Sequence, residues 1–372
     1  MNGRSWRTWV VVTAAVAVLA AVVAVPFLVD PPADGPAADA GTTTAAPAPV
    51  PLPPADAPLR RLAPPARGVY LGVSNAALPR EPGAVRRWSA DHGVRPRIVN
   101  WFQQWLSGER AFRADWATRV ARQGAVPMIT WEPWYAPAGE RRTEVQPDIS
   151  LARIADGDHD RYVRSFARQV AAYKNPVLIR LMHEMNGFWY PWGVGVNGNQ
   201  PGDYVRAWRH VHRIFAAEGA RNVSWIWSIN NLEGSEGEHT DIARNYPGPR
   251  YVDWVATSGF NWGSAYEWSG WRAADPLYRG TYRALSRFRK PIMISEIGTT
   301  SLGGDPEAWI VDTLARLRTA YPRLRAVVWY DDVDAAGLDF RLRGPTQRAL
   351  SREAAIGRRW LHAPRVVDLP PD

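Results

Sequence analysis

Two glutamates are the residues of this chain best placed to do chemistry. Glu184 lies in RLMHEMNGFWYPWG, Arg180 to Gly193, directly after the apolar run Pro176 to Ile179. Glu296 follows a second apolar run, Pro291 to Ser295. Short apolar runs bounded by turn residues read as buried parallel strands, so each acid stands at a strand end. Two carboxyls at the same end of a strand barrel, among aromatic rings, meet the needs of glycosidic bond cleavage. At the roughly 5–5.5 Å of retaining geometry, one attacks the anomeric carbon and the other protonates the leaving oxygen. Their surroundings must then drive the two proton affinities apart. His183, beside Glu184, can orient a carboxyl or a sugar hydroxyl. A single Glu near a strand end is more often a solvated residue or a salt-bridge partner. The reading rests on the pair.

The aromatic content points the same way. The chain has 20 tryptophans, several of them at predicted strand ends: Trp101, Trp131, Trp227, Trp262 and Trp329. Flat rings stack on the C–H faces of pyranoses, and Trp189 and Trp192 stand close to Glu184. For any one tryptophan, filling the core is the commoner fate. In Trp131-Glu132-Pro133-Trp134, Glu132 either binds a sugar hydroxyl or is a rim residue. Asn230 and Asn231 suit hydroxyl recognition and turns equally.

The elements that must hold these residues can be read from hydrophobic runs. Eight candidate strands cover Val69–Val73, Arg97–Trp101, Val126–Trp131, Val177–Leu181, Val223–Trp227, Val252–Phe260, Ile292–Ser295 and Ala326–Trp329. Helical patterns fall between most of them. The clearest is 160–173, with Asp160 as N-cap and Tyr162, Val163, Phe166 and Val170 on one face. A doubly wound sheet would also alternate in this way. Polar and aromatic residues at so many strand C-termini favour a closed α/β (β/α)8 TIM barrel over residues 67–362, followed by a tail, 363–372.

The N-terminal part is different. Arg4 and Arg7 lie in a stub, 1–8, and Trp9 to Val29 carries no charge. At ~1.5 Å per residue this run spans the roughly 30 Å hydrocarbon core of a bilayer. Arginines before it and aspartates after it predict a single-pass cell-membrane protein with its catalytic domain outside the cytoplasm. A cleaved signal peptide, giving a secreted protein, is the rival; length favours an uncleaved anchor. Residues 30–66, rich in Pro and Ala, read as a disordered, extended spacer.

The formal charge is +9, and all basic residues but Lys174 and Lys290 are arginines. They are spread along the chain among acids, which reads as codon bias, and no nucleic-acid-binding signature accompanies them. With no cysteine, disulfides, thiolate catalysis and thiolate metal sites are excluded. Gly193 to Gly198 spells a dinucleotide-binding pattern but lacks the strand before it and the helix after it. HEMNG opens like a zinc-protease motif, yet Gly187 stands where the second histidine belongs. Asp156, Asp158 and Asp160 start like a calcium loop whose later positions, Arg161 and Ala167, are wrong.

HEMNGFWYPWG after an apolar strand, with ISEIGTT about 110 residues on, resembles glycoside hydrolase family 26. The resemblance covers roughly 67 to 362. It implies a retaining barrel enzyme, mostly an endo-β-mannanase, with Glu184 as acid/base after strand four and Glu296 as nucleophile after strand seven. Trp189 and Trp192 match the aromatic cluster beside the acid/base, and Trp329 matches a ring near the cleavage point. Family members carry a tyrosine after strand six whose hydroxyl bonds the nucleophile. Here Phe260 falls at that position, so a donor is missing; Tyr266 or Trp262 would have to replace it. Losing one aimed donor costs on the order of 10²-fold in rate. The expected activity is endo-hydrolysis of a β-linked polysaccharide, most of all β-mannan, with no metal or other cofactor. Glu184 and Glu296 are the catalytic pair; His183, Trp189, Trp192, Trp131, Glu132, Trp262 and Trp329 bind substrate. Phe260 also supports a second reading, a non-hydrolytic polysaccharide-binding protein serving cell-surface glycan. The anchor makes a membrane a further partner, and nothing specifies an oligomeric state.

Overall fold

The structure is a computed structural model that describes residues 53–54, 56–136, 144–232, 241–356 and 363–370. The expected stub, the apolar run 9–29 and most of the spacer lie outside the described residues. Among the described residues, no helix is long and apolar enough to cross a membrane.

Eight parallel strands close into a barrel in chain order: β2 (Tyr70–Ser74), β3 (Ile98–Gln104), β4 (Val126–Glu132), β5 (Val177–Leu181), β6 (Val223–Asn230), β7 (Trp254–Asn261), β8 (Ile292–Thr299) and β9 (Leu324–Tyr330). All eight expected strands are present, most of them extending further at the C-terminal end. The helices are α1 (Ala77–Arg80), α2 (Ala84–His92), α3 (Ala114–Arg122), α4 (Leu151–Asp156), α5 (Asp160–Tyr173), α6 (Asp203–Ala217), α7 (Ala274–Ser286), α8 (Pro306–Ala320) and α9 (Pro345–Ile356). Helix α5 buries Val163, Phe166 and Val170 as its apolar spacing requires. Its N-cap is His159, not Asp160; Asp160 is the first helical residue and binds His210 and Arg164.

A strand sends alternate side chains to opposite faces, which sorts the barrel into two cores. Outward residues such as Val99, Ile129, Ile179 and Val327 pack against the helices. Inward residues near the N-terminal strand ends, including Tyr70, Ile98, Met128, Leu178 and Trp254, fill the lumen. Above them lies a polar layer. Asn100 donates to Ser74 Oγ at 2.9 Å, Thr130 Oγ1 to Asn100 Oδ1 at 2.9 Å, and Arg180 to Thr130 Oγ1 at 3.3 Å. Most buried hydroxyls and amides in proteins are paired in this way.

The spacer and tail boundaries need correction. Arg60–Ala63, expected to be spacer, forms β1, and Arg365–Asp368 forms β10; the two pair antiparallel. Leu62 is buried with the lumen residues, so β1 closes the N-terminal end of the barrel. Tyr70 donates its hydroxyl to the carbonyl of Ala63 at 2.9 Å and accepts from the amide of Arg365 at 2.9 Å.

Candidate active site

Both glutamates lie at the C-terminal strand ends and are buried, Glu184 8% and Glu296 4% exposed. Glu184 follows β5, and Glu296 lies within β8 rather than beyond it. In the pairing of β7 with β8, Thr257 faces Ile294 but Ser258 faces Glu296, so Ser295 is an extra residue. A bulge of this kind re-aims the side chain that follows it. Ser295 bonds Ser228 at 2.9 Å across the lumen, and Glu296 also turns inward.

The loop carrying Glu184 is fixed from several sides. Met182 and Glu184 have positive φ angles of 44° and 55°. Non-glycine residues in this region cost about 1–3 kcal/mol each and persist only where neighbours over-determine them. Here the amide of Glu184 donates to the carbonyl of Ser228 at 2.8 Å. Asn186 extends the contact: its Nδ2 donates to the carbonyl of Asn230 at 3.0 Å, and its Oδ1 accepts from the Asn230 amide at 2.8 Å. Tyr204 donates to the carbonyl of Met182 at 3.0 Å, and Trp192 to that of His183 at 2.6 Å. Gly187 permits a close approach. A Cβ there would collide with the ring of Trp189, whose Nε1 donates to Glu184 Oε2 at 3.1 Å.

Arg180 stands at the centre. It is fully buried on β5, and the two hydrogens of Nη2 are shared among Glu296 Oε2 at 2.6 Å, His183 Nδ1 at 2.7 Å and Ser258 Oγ at 2.9 Å. The same nitrogen is 3.9 Å from Glu184 Oε1. Arginine only donates, so His183 Nδ1 must be the acceptor and its proton sits on Nε2. Nε2 then donates to Glu132 Oε1 at 3.0 Å, and Trp134 donates to Glu132 Oε2 at 3.3 Å. Burial, with Arg180 adding to it, holds His183 neutral well below its ordinary range. Burial pushes the Glu132 carboxyl up to about 8, opposed by Trp134 and Arg180. Glu296 is also pushed up by burial, with the Arg180 guanidinium pulling against it.

His183, Glu184 and Glu296 offer ligand atoms within 4.8 Å of one another, a possible metal donor set. The Arg180 guanidinium already lies against all three, so the cationic centre of this cluster is a side chain. The same limit brings the carboxyls of Glu184 and Glu296 within reach of one anomeric carbon. That spacing suits double displacement; direct attack by water needs roughly 6.5–9.5 Å.

The expected substrate residues divide. Trp189 and Trp262 are half-buried at the mouth, and Trp262 packs on Phe260 at 5.2 Å. Three tryptophans do not face a sugar. Trp131 points outward into Phe166 at 4.5 Å and Tyr162 at 5.8 Å of α5, and Trp329 into Trp309 of α8 at 6.2 Å. Both sit one residue off the inward parity. Trp192 is buried against Tyr190 at 4.4 Å, behind His183. Trp101 and Trp227 likewise pack outward, on Trp116 and on Phe288. Glu132 does face the lumen, but both its oxygens are taken by protein donors.

Phe260 points inward, two residues beyond Ser258 on the strand beside Glu296, and packs against Tyr330 at 5.5 Å and Phe340 at 5.1 Å. It supplies no hydroxyl. Tyr266 stacks on Trp268 at 5.1 Å at the rim, so it does not fill the gap. The donor to Glu296 is Arg180. Tyr330 was missed in the sequence, whereas Tyr190 stands in the aromatic run directly after Glu184. Burial raises both phenols, and the charge of Glu296 raises Tyr330 further, so both stay protonated as donors.

The sequence profile of glycosyl hydrolase family 26 matches residues 117–298. Endoglucanase H of Acetivibrio thermocellus is 32% identical over 295 residues, covering 78% of this chain and 30% of the relative. A mannan endo-1,4-β-mannosidase of Bacillus subtilis is 24% identical over 192 residues, covering 50% of this chain and 45% of the relative. The chain thus spans less than half the length of either. Among solved structures, a modular endo-β-1,4-mannanase from Cellulomonas fimi matches with a TM-score of 0.60 at 18% identity, over 80% of this chain and 72% of that one. A β-mannanase from Bacteroides ovatus matches with a TM-score of 0.60 at 16% identity, over 80% and 91%. At such identities the likeness speaks for the barrel alone.

Proposed function

The barrel of this chain belongs to glycosyl hydrolase family 26, and on that footing we propose that it is a retaining, endo-acting β-glycanase. The observation that carries the reading is the short approach of Glu184 and Glu296 around Arg180. Glu296, held by the guanidinium, attacks the anomeric carbon. Glu184 protonates the leaving oxygen, then removes a proton from the water that releases the glycosyl group. The half-buried rings of Trp189 and Trp262 are suited to stacking on sugar faces beside the cleavage point.

The substrate class is a β-linked glucan or mannan. Relatives of both kinds match, and the longer match is to an endoglucanase. The test is release of reducing ends from mannan, lichenan, cellulose and xylan by the full chain and by Glu184→Ala and Glu296→Ala. Activity on at least one polymer, lost in both variants, is expected; activity surviving both would remove the assignment. Phe260 supports a second reading, a polysaccharide-binding protein with little turnover. Retention on insoluble glucan or mannan without new reducing ends would favour it.

A further inference from the structure

Positive charge that is dispersed in the sequence is gathered by the topology. In a parallel barrel every turn leading into a strand lies at the N-terminal end, opposite the mouth. Here the turn before β8 carries Arg287, Arg289 and Lys290, that before β7 carries Arg250, and Arg323 precedes β9. Hydrogen bonds join these turns into one surface. Lys290 Nζ donates to the carbonyl of Pro249 at 2.7 Å, and Arg323 Nη2 to that of Lys290 at 3.5 Å. A carbonyl positions a cation without neutralising it. Among the described residues, several carboxylates at this end are paired: Asp253 with Arg61, Asp368 with Arg60, and Glu218 with Arg164 and Arg168.

Helix C-termini favour a cation in their last turn, which accounts for Arg283 within α7. It does not account for Arg289 and Lys290 beyond that helix, nor for Arg250 in the helix-free stretch 241–253. At the mouth, the loop after β9 carries Asp331, Asp332, Asp334 and Asp339, the last paired with Arg341. The chain also arrives on the basic face, because β1 closes that end of the barrel. Upstream of β1 lie the uncharged run Trp9 to Val29 and the proline-rich stretch. Thirty residues, 30–59, span at most about 100 Å, so the covalent chain does not prevent this face from lying on a surface that holds that run.

We propose that the N-terminal face of the barrel docks on an anionic lipid bilayer, with the mouth turned away from it. Lipid phosphates supply the counter-charge, and the attraction fades within a Debye length. The proposal does not depend on hydrolysis, so the two can fail separately.

The full chain has no cysteine, so single labels are clean. Ala320→Cys reports from the basic face and Ser301→Cys from the mouth, both exposed positions. Each labelled protein is mixed with vesicles bearing a head-group quencher, made of phosphatidylcholine alone or with phosphatidylglycerol. The label at 320 is expected to be quenched several-fold more on anionic vesicles, and the label at 301 is not. The difference should vanish in about 1 M salt, where charges are screened beyond about 3 Å, and in the triple variant R287Q/R289Q/K290Q. Equal quenching on both vesicles, equal quenching of both labels, or no effect of the triple substitution would overturn the proposal. Release from the vesicles by duplex DNA at equal phosphate concentration would overturn the lipid assignment in favour of polyanions in general.

Discussion

Arg180 is the residue on which both glutamates depend. One nitrogen serves Glu296, His183 and Ser258, and no solvent reaches it. Arg180→Met keeps the volume and removes the charge. Breaking a buried pair on one side costs about 3–5 kcal/mol, and losing an aimed donor costs on the order of 10²-fold in rate. A thermal melt and kcat/KM should both fall; unchanged kcat/KM would show that Glu296 needs no donor. Arg180 was legible in principle, since an arginine inside the apolar run VLIRL must be paired if that run is a buried strand.

The Glu132–His183 pair predicts a pH dependence of stability. Below its ordinary 4.5 the Glu132 carboxyl is protonated whether the chain is folded or not. From there to about 8 the unfolded chain releases the proton and the folded chain keeps it, so stability falls as pH rises. His183 works in the other direction: the fold keeps it neutral below its ordinary 6.5, so stability falls as pH drops beneath that value. The two oppose each other at acid pH. Between pH 6.5 and 8 Glu132 acts without that opposition, at up to about 1.4 kcal/mol per pH unit. Urea titrations at pH 6.5 and 8 should therefore show a shallower decline in Glu132→Gln than in the native protein. Identical declines would mean that Glu132 is ionised throughout.

At the scale of elements, the loop after β5 is held to β6 chiefly through Asn186. Asn186→Ala leaves the amide and carbonyl of Asn230 without these partners, at a cost of about 1–3 kcal/mol for each buried group left unpaired. Activity should fall with it, because Glu184 sits two residues away in strained backbone. Gly187→Ala tests the same loop from above. The added methyl displaces Trp189, so intrinsic tryptophan fluorescence should shift and kcat should drop; a variant with native fluorescence and kcat would show that the ring has room to move. The strands were readable from their apolar runs, but which residue of each faces the lumen was not. Trp131 and Trp329 are the cases in point. A side chain flips face with each residue, and the inward neighbours are Glu132 and Tyr330. Counting from Met128 along β4 and from Val328 along β9 would have found them. The bulge at Ser295 has no such signal, since it arises from pairing between strands.

At the scale of the molecule, eight runs of strand with helical patterns between them left a doubly wound sheet open, and the polar and aromatic residues at the strand C-termini pointed to the barrel. The cap was not legible. Arg60–Ala63 and Arg365–Asp368 are four-residue strands more than 300 residues apart, and one of them follows a proline-rich stretch. Leu62 is the apolar residue that β1 presses into the lumen. Leu62→Ala should destabilise the fold by about 2–5 kcal/mol and leave KM unchanged. A melt at the native temperature would show that the barrel closes without its plug.

The cap has a practical consequence. The amide of Leu369 bonds the carbonyl of Leu59 at 2.7 Å, so both described chain ends leave side by side, behind the barrel. An attachment made at residue 59 or at residue 369 therefore meets the rear of the molecule. The strand ends that hold Glu184 and Glu296 face the other way.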